Sequence, residues 1–236
     1  MIVYGRNPVR EALRGRRAAT VHGVMSTAAA SREPWLADVP VTIARAHEIE
    51  RVCGSPEHQG ICARVADYVY ADPRSLLSAP DPLIIALDEI QDPHNVGALC
   101  RTAECVGATG VVLPERRSAQ VTAAVCKASA GAVEHLDVAQ VRNLADFLAD
   151  AKDAGCWCYG AAAGASVAYD EPDYSGGVVL VLGAEGRGLR ARVAAACDAL
   201  VALPQMGRIA SLNVSAAGAV LMYEALRARK GLDSAS

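Results

Sequence analysis

The sequence predicts an α/β protein, a parallel sheet with helices on both faces, preceded by a small α/β module. Three observations carry this. Strand-length runs such as 83–87 and 178–182 are apolar throughout, as strands buried on both faces must be. They alternate with segments of helical period, the rhythm of parallel strands and their crossovers. The core draws on Ala, Val and Leu, with one Phe and two Trp in 236 residues, which suits closely approaching helices and parallel strands rather than an aromatic-rich sandwich.

In the first module, Asn7-Pro8 supplies an N-cap residue followed by proline at the first helical position, and the helix ends at Gly15. Residues 20–25 and 39–43 read as short strands, 46–52 as a helix and 61–65 as another strand. The window 71–82 holds Pro73, Pro80 and Pro82 and has linker composition. The expected division is 1–71 for the first module, 72–82 for the linker and 83–236 for the second domain. There the order is strand 83–87, helix 95–106, strand 110–113, helix 121–128, strand 136–138, helix 143–154, strands 156–161 and 178–182, helix 189–196, strand 200–203 and helix 213–229. The tail after Lys230 is expected to fray.

Bulk properties exclude several classes. A formal charge of -3 argues against a protein that simply coats nucleic acid, because phosphate binding shows as a basic surplus. The distribution is uneven: residues 1–75 carry ten Arg against eight acids, and Arg6, Arg10, Arg14, Arg16 and Arg17 face only Glu11. That cluster is either a small phosphate-binding patch or a solvated helix face. The eight cysteines form no CxxC pair and read as reduced, small apolar residues rather than metal ligands. No apolar run reaches the ~18 residues of a membrane span and no signal-peptide order opens the chain, so a cytoplasmic protein is expected.

Three strand–loop–helix junctions concentrate small and polar residues: 92–107, 183–189 and 203–215. In the last, Gly207 punctuates the loop and Ser211 or Asn213 offers a helix cap. Asn95 stands near a helix start, with Arg101 almost two turns on. Glu185 lies in a glycine-rich turn that is neither GxGxxG nor a P-loop, and serves there as a cap or as a ligand group. In a parallel sheet such loops lie at the carboxyl ends of strands, where ligands bind. Three matching loops suggest one site.

The runs Asp92-Pro93-His94-Asn95-Val96-Gly97 with Arg101, Leu182-Gly183-Ala184-Glu185-Gly186 and Ser211-Leu212-Asn213-Val214-Ser215 resemble, in order, the three motifs of the SpoU/TrmH branch of the SPOUT methyltransferases. Arg117-Ser118-Ala119 and 127–132 also resemble family segments. Tyr4-Gly5 and His58-Gln59-Gly60-Ile61 look like the small L30e-like RNA-binding domain of the family's 23S rRNA guanosine ribose methyltransferases. The likeness implies a C-terminal trefoil knot that binds S-adenosylmethionine, a homodimer with shared active sites and an RNA substrate. It further implies that Gly183, Leu203 and Leu212 contact the cofactor through backbone, and that Asn95, Arg101, Glu185, Ser211 and Asn213 supply the functional side chains.

The implied reaction moves a methyl group onto a ribose 2′-hydroxyl of RNA, with a guanosine of 23S rRNA favoured. It calls for no metal, since the leaving group departs as a neutral thioether and the barrier is met by in-line placement and removal of one proton. Two alternatives stand beside it: a tRNA ribose methyltransferase, and a non-catalytic RNA-binding dimer.

Overall fold

The computed structural model describes residues 1–209 and 211–230; the tail expected to fray lies outside them. The N-terminal module holds β1 (Ile2–Tyr4), α1 (Arg6–Ala12), β2 (Val21–Ser26), β3 (Val41–Ile43), α2 (Ala46–Cys53) and β4 (Ile61–Val65), in a mixed sheet of order β1-β4-β2-β3. The first helix begins earlier than Asn7-Pro8 signals. Gly5, at a φ of 94°, turns the chain directly from β1 into α1, so Asn7 lies inside the helix and no side chain caps it. Pro8 still falls in the first turn, where a missing N–H costs nothing.

The segment expected as a linker is an ordered strap. Asp72 caps α3 (Pro73–Leu77) by accepting from Arg74 N–H at 2.9 Å. Leu76 is buried beside Gly110, where an added Cβ would lie 2.8 Å from its Cδ2. The three prolines set the ends of this turn rather than leaving it extended.

The second sheet comprises β5 (Leu83–Asp88), β6 (Gly110–Pro114), β7 (Asp137–Val141), β8 (Trp157–Ala161), β9 (Val167–Ala168), β10 (Val178–Gly183) and β11 (Ala199–Ala202). All neighbours are parallel, in the order β7-β6-β5-β10-β8-β11-β9. Its helices are α4 (Pro93–Cys105), α5 (Ala123–Ala128), α6 (Leu144–Asp153), α7 (Ala191–Ala196) and α8 (Val214–Arg229). Both faces are covered, as the apolar strands require. On β5, Leu83, Ile85 and Leu87 join the core shared with α4, α5 and α8, while Ile84 and Ala86 join the one shared with α6 and α7.

The first of those cores runs unbroken into the N-terminal module, taking in Val3, Val9, Ile61 and Val65. A buried ion pair crosses the same junction: Arg17 Nε donates to Glu134 Oε2 at 2.9 Å, with both residues almost inaccessible. The arginine cluster, left open by the sequence between a phosphate patch and a solvated face, is largely paired with acids. Arg17 is spent on Glu134, Arg16 on Asp137, Arg10 on Glu11 and Arg6 on Glu33. The runs around Gly5, Gln59 and Lys127 also meet there. Gln59 Oε1 accepts from Arg6 N–H at 2.9 Å, and Lys127 Nζ donates to the Glu57 carbonyl at 2.8 Å.

The eight cysteines are free thiols. Burial pushes Cys62 and Cys126 up to about 11 and Cys100 and Cys158 up to about 12, which keeps them protonated and inert near neutral pH. Among the described residues no helix is long and apolar enough to cross a membrane.

Candidate active site

β5 and β10 are neighbours in register, Leu87 opposite Leu182 and Asp88 opposite Gly183. Their carboxyl ends therefore release the 89–92 and 183–189 loops side by side. Asp92 caps α4, its Oδ1 accepting from His94 N–H at 2.9 Å, and this places Asn95 in the first turn with only 7% of its surface exposed. The 183–189 loop folds tightly on itself: Gly188 N–H donates to the Ala184 carbonyl at 2.8 Å. A Cβ at Gly183 would lie 2.2 Å from the Gly188 carbonyl carbon, so only glycine permits this closure.

Of the two caps offered by the sequence for the last helix, the structure uses Asn213. Its Oδ1 accepts from Ser215 N–H at 2.9 Å and Ala216 N–H at 3.3 Å. Its Nδ2 donates to Asn95 Oδ1 at 3.0 Å and also to Glu185 Oε1. Glu185 caps neither its own loop nor α7; the same oxygen accepts from Val214 N–H at 3.4 Å, so the carboxylate sits at the positive end of α8. Three residues from three loops thus form one hydrogen-bonded group.

Two cavities flank it. The larger, of about 610 Å³, is lined by Leu182, Gly183, Leu200, Leu203, Ser211 and Leu212 among others. The smaller, of about 400 Å³, lies between 88–92 and 184–190 and includes Asn95 in its wall. Glu185 and Arg187 line both. Gly183, Leu203, Ser211, Leu212 and Glu185 therefore share the larger cavity, Asn95 belongs to the smaller, and Asn213 lies between them as the bridge. Arg101 borders neither. It is exposed on α4, with no hydrogen bond or ion pair among the described residues.

Sequence reasoning missed the support beneath the smaller cavity. Asp88, fully buried at the end of β5, accepts from Arg190 N–H at 2.8 Å and from Arg190 Nε at 2.7 Å. Arg190 also pairs with Glu89 at 3.1 Å. The one visible signal was an aspartate ending an otherwise apolar strand; its partner, 102 positions away, left none.

Residues 82–223 match the model of the SpoU rRNA Methylase family, and residues 2–71 match that for RNA 2′-O ribose methyltransferase substrate binding. The Bacillus subtilis protein YacO, provisionally named a TrmH family tRNA/rRNA methyltransferase, is 44% identical over 178 residues, covering 73% of this chain and 72% of its own. An uncharacterized tRNA/rRNA methyltransferase of Mycobacterium avium is 40% identical over 240 residues, covering 97% and 78%. The crystal structure of AdoMet-bound rRNA methyltransferase from Sinorhizobium meliloti superimposes with a TM-score of 0.81 at 26% identity, covering 99% of this chain and 88% of that one. With residues of the three motif loops joined in one hydrogen-bonded group and both family models matched in order, the chain belongs to the SpoU/TrmH family of RNA methyltransferases, enzymes that use S-adenosylmethionine.

Proposed function

We propose that the chain transfers a methyl group from S-adenosylmethionine to a ribose 2′-hydroxyl of RNA, a guanosine of 23S rRNA being the favoured target and tRNA the alternative. The observation that carries this reading is the Asn95–Glu185–Asn213 group standing between the two cavities. A volume of about 610 Å³ suits a ligand the size of S-adenosylmethionine. Its leucine-rich wall suits the faces of adenine, and the bare backbone at Gly183 allows close approach. Gly183, Leu203 and Leu212 would hold the cofactor, whose chemical contribution is a methyl group on a sulfonium leaving centre.

The chain's own residues do the rest. Ser211 lines the cavity and orients donor or ribose, while Asn95 presents an amide held by Asn213, which Glu185 in turn locks in place. Arg101 stays protonated in ordinary settings, so its role is to orient the hydroxyl and stabilise developing alkoxide charge. Because Arg101 borders neither cavity within one chain, a second copy supplies the missing wall of a shared site. Exposed Leu212, Val220 and Tyr223 give the N-terminal end and outer face of α8 an apolar surface on which a homodimer would close.

We assign residues 1–71 to an L30e-like module that binds the RNA substrate and 83–236 to the catalytic domain. A trefoil knot in the latter is supported by β10 lying between β5 and β8 and by the segment after β11 returning to the cavity beside the β10 loop. Free thiols and an RNA substrate suit the cytoplasm.

The test is to incubate the protein with labelled S-adenosylmethionine and total RNA, then map ribose methylation. A single modified 2′-hydroxyl, with guanosine in 23S rRNA as the expected position, supports the proposal. Absence of calorimetric heat with S-adenosylmethionine would favour a non-catalytic RNA binder.

A further inference from the structure

The smaller cavity has a composition unlike its neighbour's. The larger is walled by leucine, valine and alanine; this one is walled by Asp88, Glu89, Gln91, Asp92, Arg187 and Arg190. Asp88, Glu89 and Arg190 consume one another. Gln91 and Arg187 are exposed and have no hydrogen-bond or ion-pair partner among the described residues. Asp92 spends one oxygen on the α4 cap and keeps the other. The wall is also strained. Glu89, in that wall, has a φ of 56°. Left-handed backbone at a non-glycine residue is strained and persists where surrounding structure imposes it, commonly at ligand sites.

From this we infer that the smaller cavity receives the target nucleotide, unstacked from its RNA, with Gln91 reading the base edge and Arg187 holding an adjoining phosphate. The inference rests on the methyl-transfer reading above and adds the acceptor's seat. About 400 Å³ accommodates one nucleotide but not a base pair, so the base enters alone. Glu185, in the wall that both cavities share, and Asn95 beside it put its ribose next to the donor cavity. A glutamine amide offers a donor and an acceptor side by side, and the free Asp92 oxygen adds an acceptor. That set matches the N1–H and N2–H donors of guanine better than the acceptor-rich edge of uracil. The Asp88–Arg190–Glu89 pairs are positioning groups that hold the wall.

The experiment compares the full-length wild type with Gln91→Ala and Arg187→Ala, using transcripts of the mapped RNA that carry each of the four bases at the methylated position. Gln91→Ala is expected to raise KM for the guanine transcript roughly tenfold, the size of one lost hydrogen bond. It should also flatten the preference over uracil, with calorimetric affinity for S-adenosylmethionine within about twofold of wild type. Arg187→Ala is expected to reduce the salt dependence of RNA binding by about one phosphate contact. Gln91 is exposed and holds no hydrogen bond among the described residues, so misfolding is not expected, and thermal melting checks it. If wild type transfers methyl while Gln91→Ala keeps both KM and base preference, the pocket assignment is overturned and the methyl-transfer reading stands. If wild type binds no S-adenosylmethionine and methylates no RNA, the underlying reading fails and this inference with it.

Discussion

Asn213 and Asn95 lie 118 positions apart and share a hydrogen bond of 3.0 Å. Through it α8 is tied to α4 by the same side chain that caps α8. The two jobs are separable. Asn213→Asp keeps the capping oxygens, removes the donor and sets a carboxylate against Glu185; Asn213→Ala removes both functions. Both variants are expected to lose most methyl transfer. The alanine variant also loses about 1 kcal/mol of cap stabilisation, seen as a fall of roughly 2–4 °C in melting temperature. An aspartate variant with wild-type turnover would show that the Nδ2 donor is dispensable.

Arg101 separates chemistry from folding more cleanly still. Its guanidinium is exposed and holds no partner among the described residues, so Arg101→Ala should melt with the wild type. Methyl transfer should fall by ~100-fold or more, the scale of removing one charge-stabilising donor, while calorimetric affinity for S-adenosylmethionine is unchanged. Arg101→Lys keeps the charge without the planar fork and should recover only part. Full single-turnover methylation by the alanine variant would defeat the assignment. Mixing it with an Asn213→Ala chain tests the shared site: complementation in the mixture requires that two chains build one centre.

Much of the fold was legible because its strands are long and buried on both faces. The apolar runs 83–87 and 178–182 became β5 and β10, one residue longer at the carboxyl end. Short elements left no periodic signal. β1 spans three residues and β9 two, below the length at which alternation is distinguishable from chance. The strap α3 was hidden by prolines that also signal a linker. At the site, a cap residue, a carboxylate in a glycine turn and an asparagine at a helix start were each visible, but their convergence depends on β10 lying beside β5, a pairing between residues nearly a hundred positions apart that local pattern does not encode. The pairing of Arg17 was hidden for the same reason: Glu134, its partner, is 117 positions away.

Gly183 tests whether loop closure makes the donor cavity. Its added Cβ would collide with backbone, the Gly188 carbonyl carbon at 2.2 Å, which no rotamer relieves. Gly183→Ala should therefore open the 183–189 turn, costing about 1–3 kcal/mol and weakening S-adenosylmethionine binding more than tenfold by calorimetry. Gly207→Ala is the control, since a Cβ there would meet nothing within 4 Å and its φ is not positive; it should change neither quantity. Equal binding by both variants would show that the turn is not part of the donor seat.

The Arg17–Glu134 pair tests how firmly the N-terminal module is held to the catalytic domain. Burial, the largest influence, pulls the Arg17 guanidinium down, yet the hydrogen bonds and charge of Glu134 outweigh it and hold Arg17 above the ordinary arginine value. A group raised in the folded state contributes stability that is complete below its unfolded value and fades only as pH climbs through the folded one. For arginine both lie above ~12, so this contribution should be constant from about pH 6 to 10. Glu134→Ala leaves a buried guanidinium unpaired and should cost about 3–5 kcal/mol, whereas Arg17→Met with Glu134→Leu should be near neutral or better. Denaturant melts at several pH values check both, with the wild-type-minus-Glu134→Ala difference expected to be flat over that range. A difference that fades between about pH 8 and 10 would mean that Arg17 deprotonates there, and that the junction is wetter than the burial of both side chains implies.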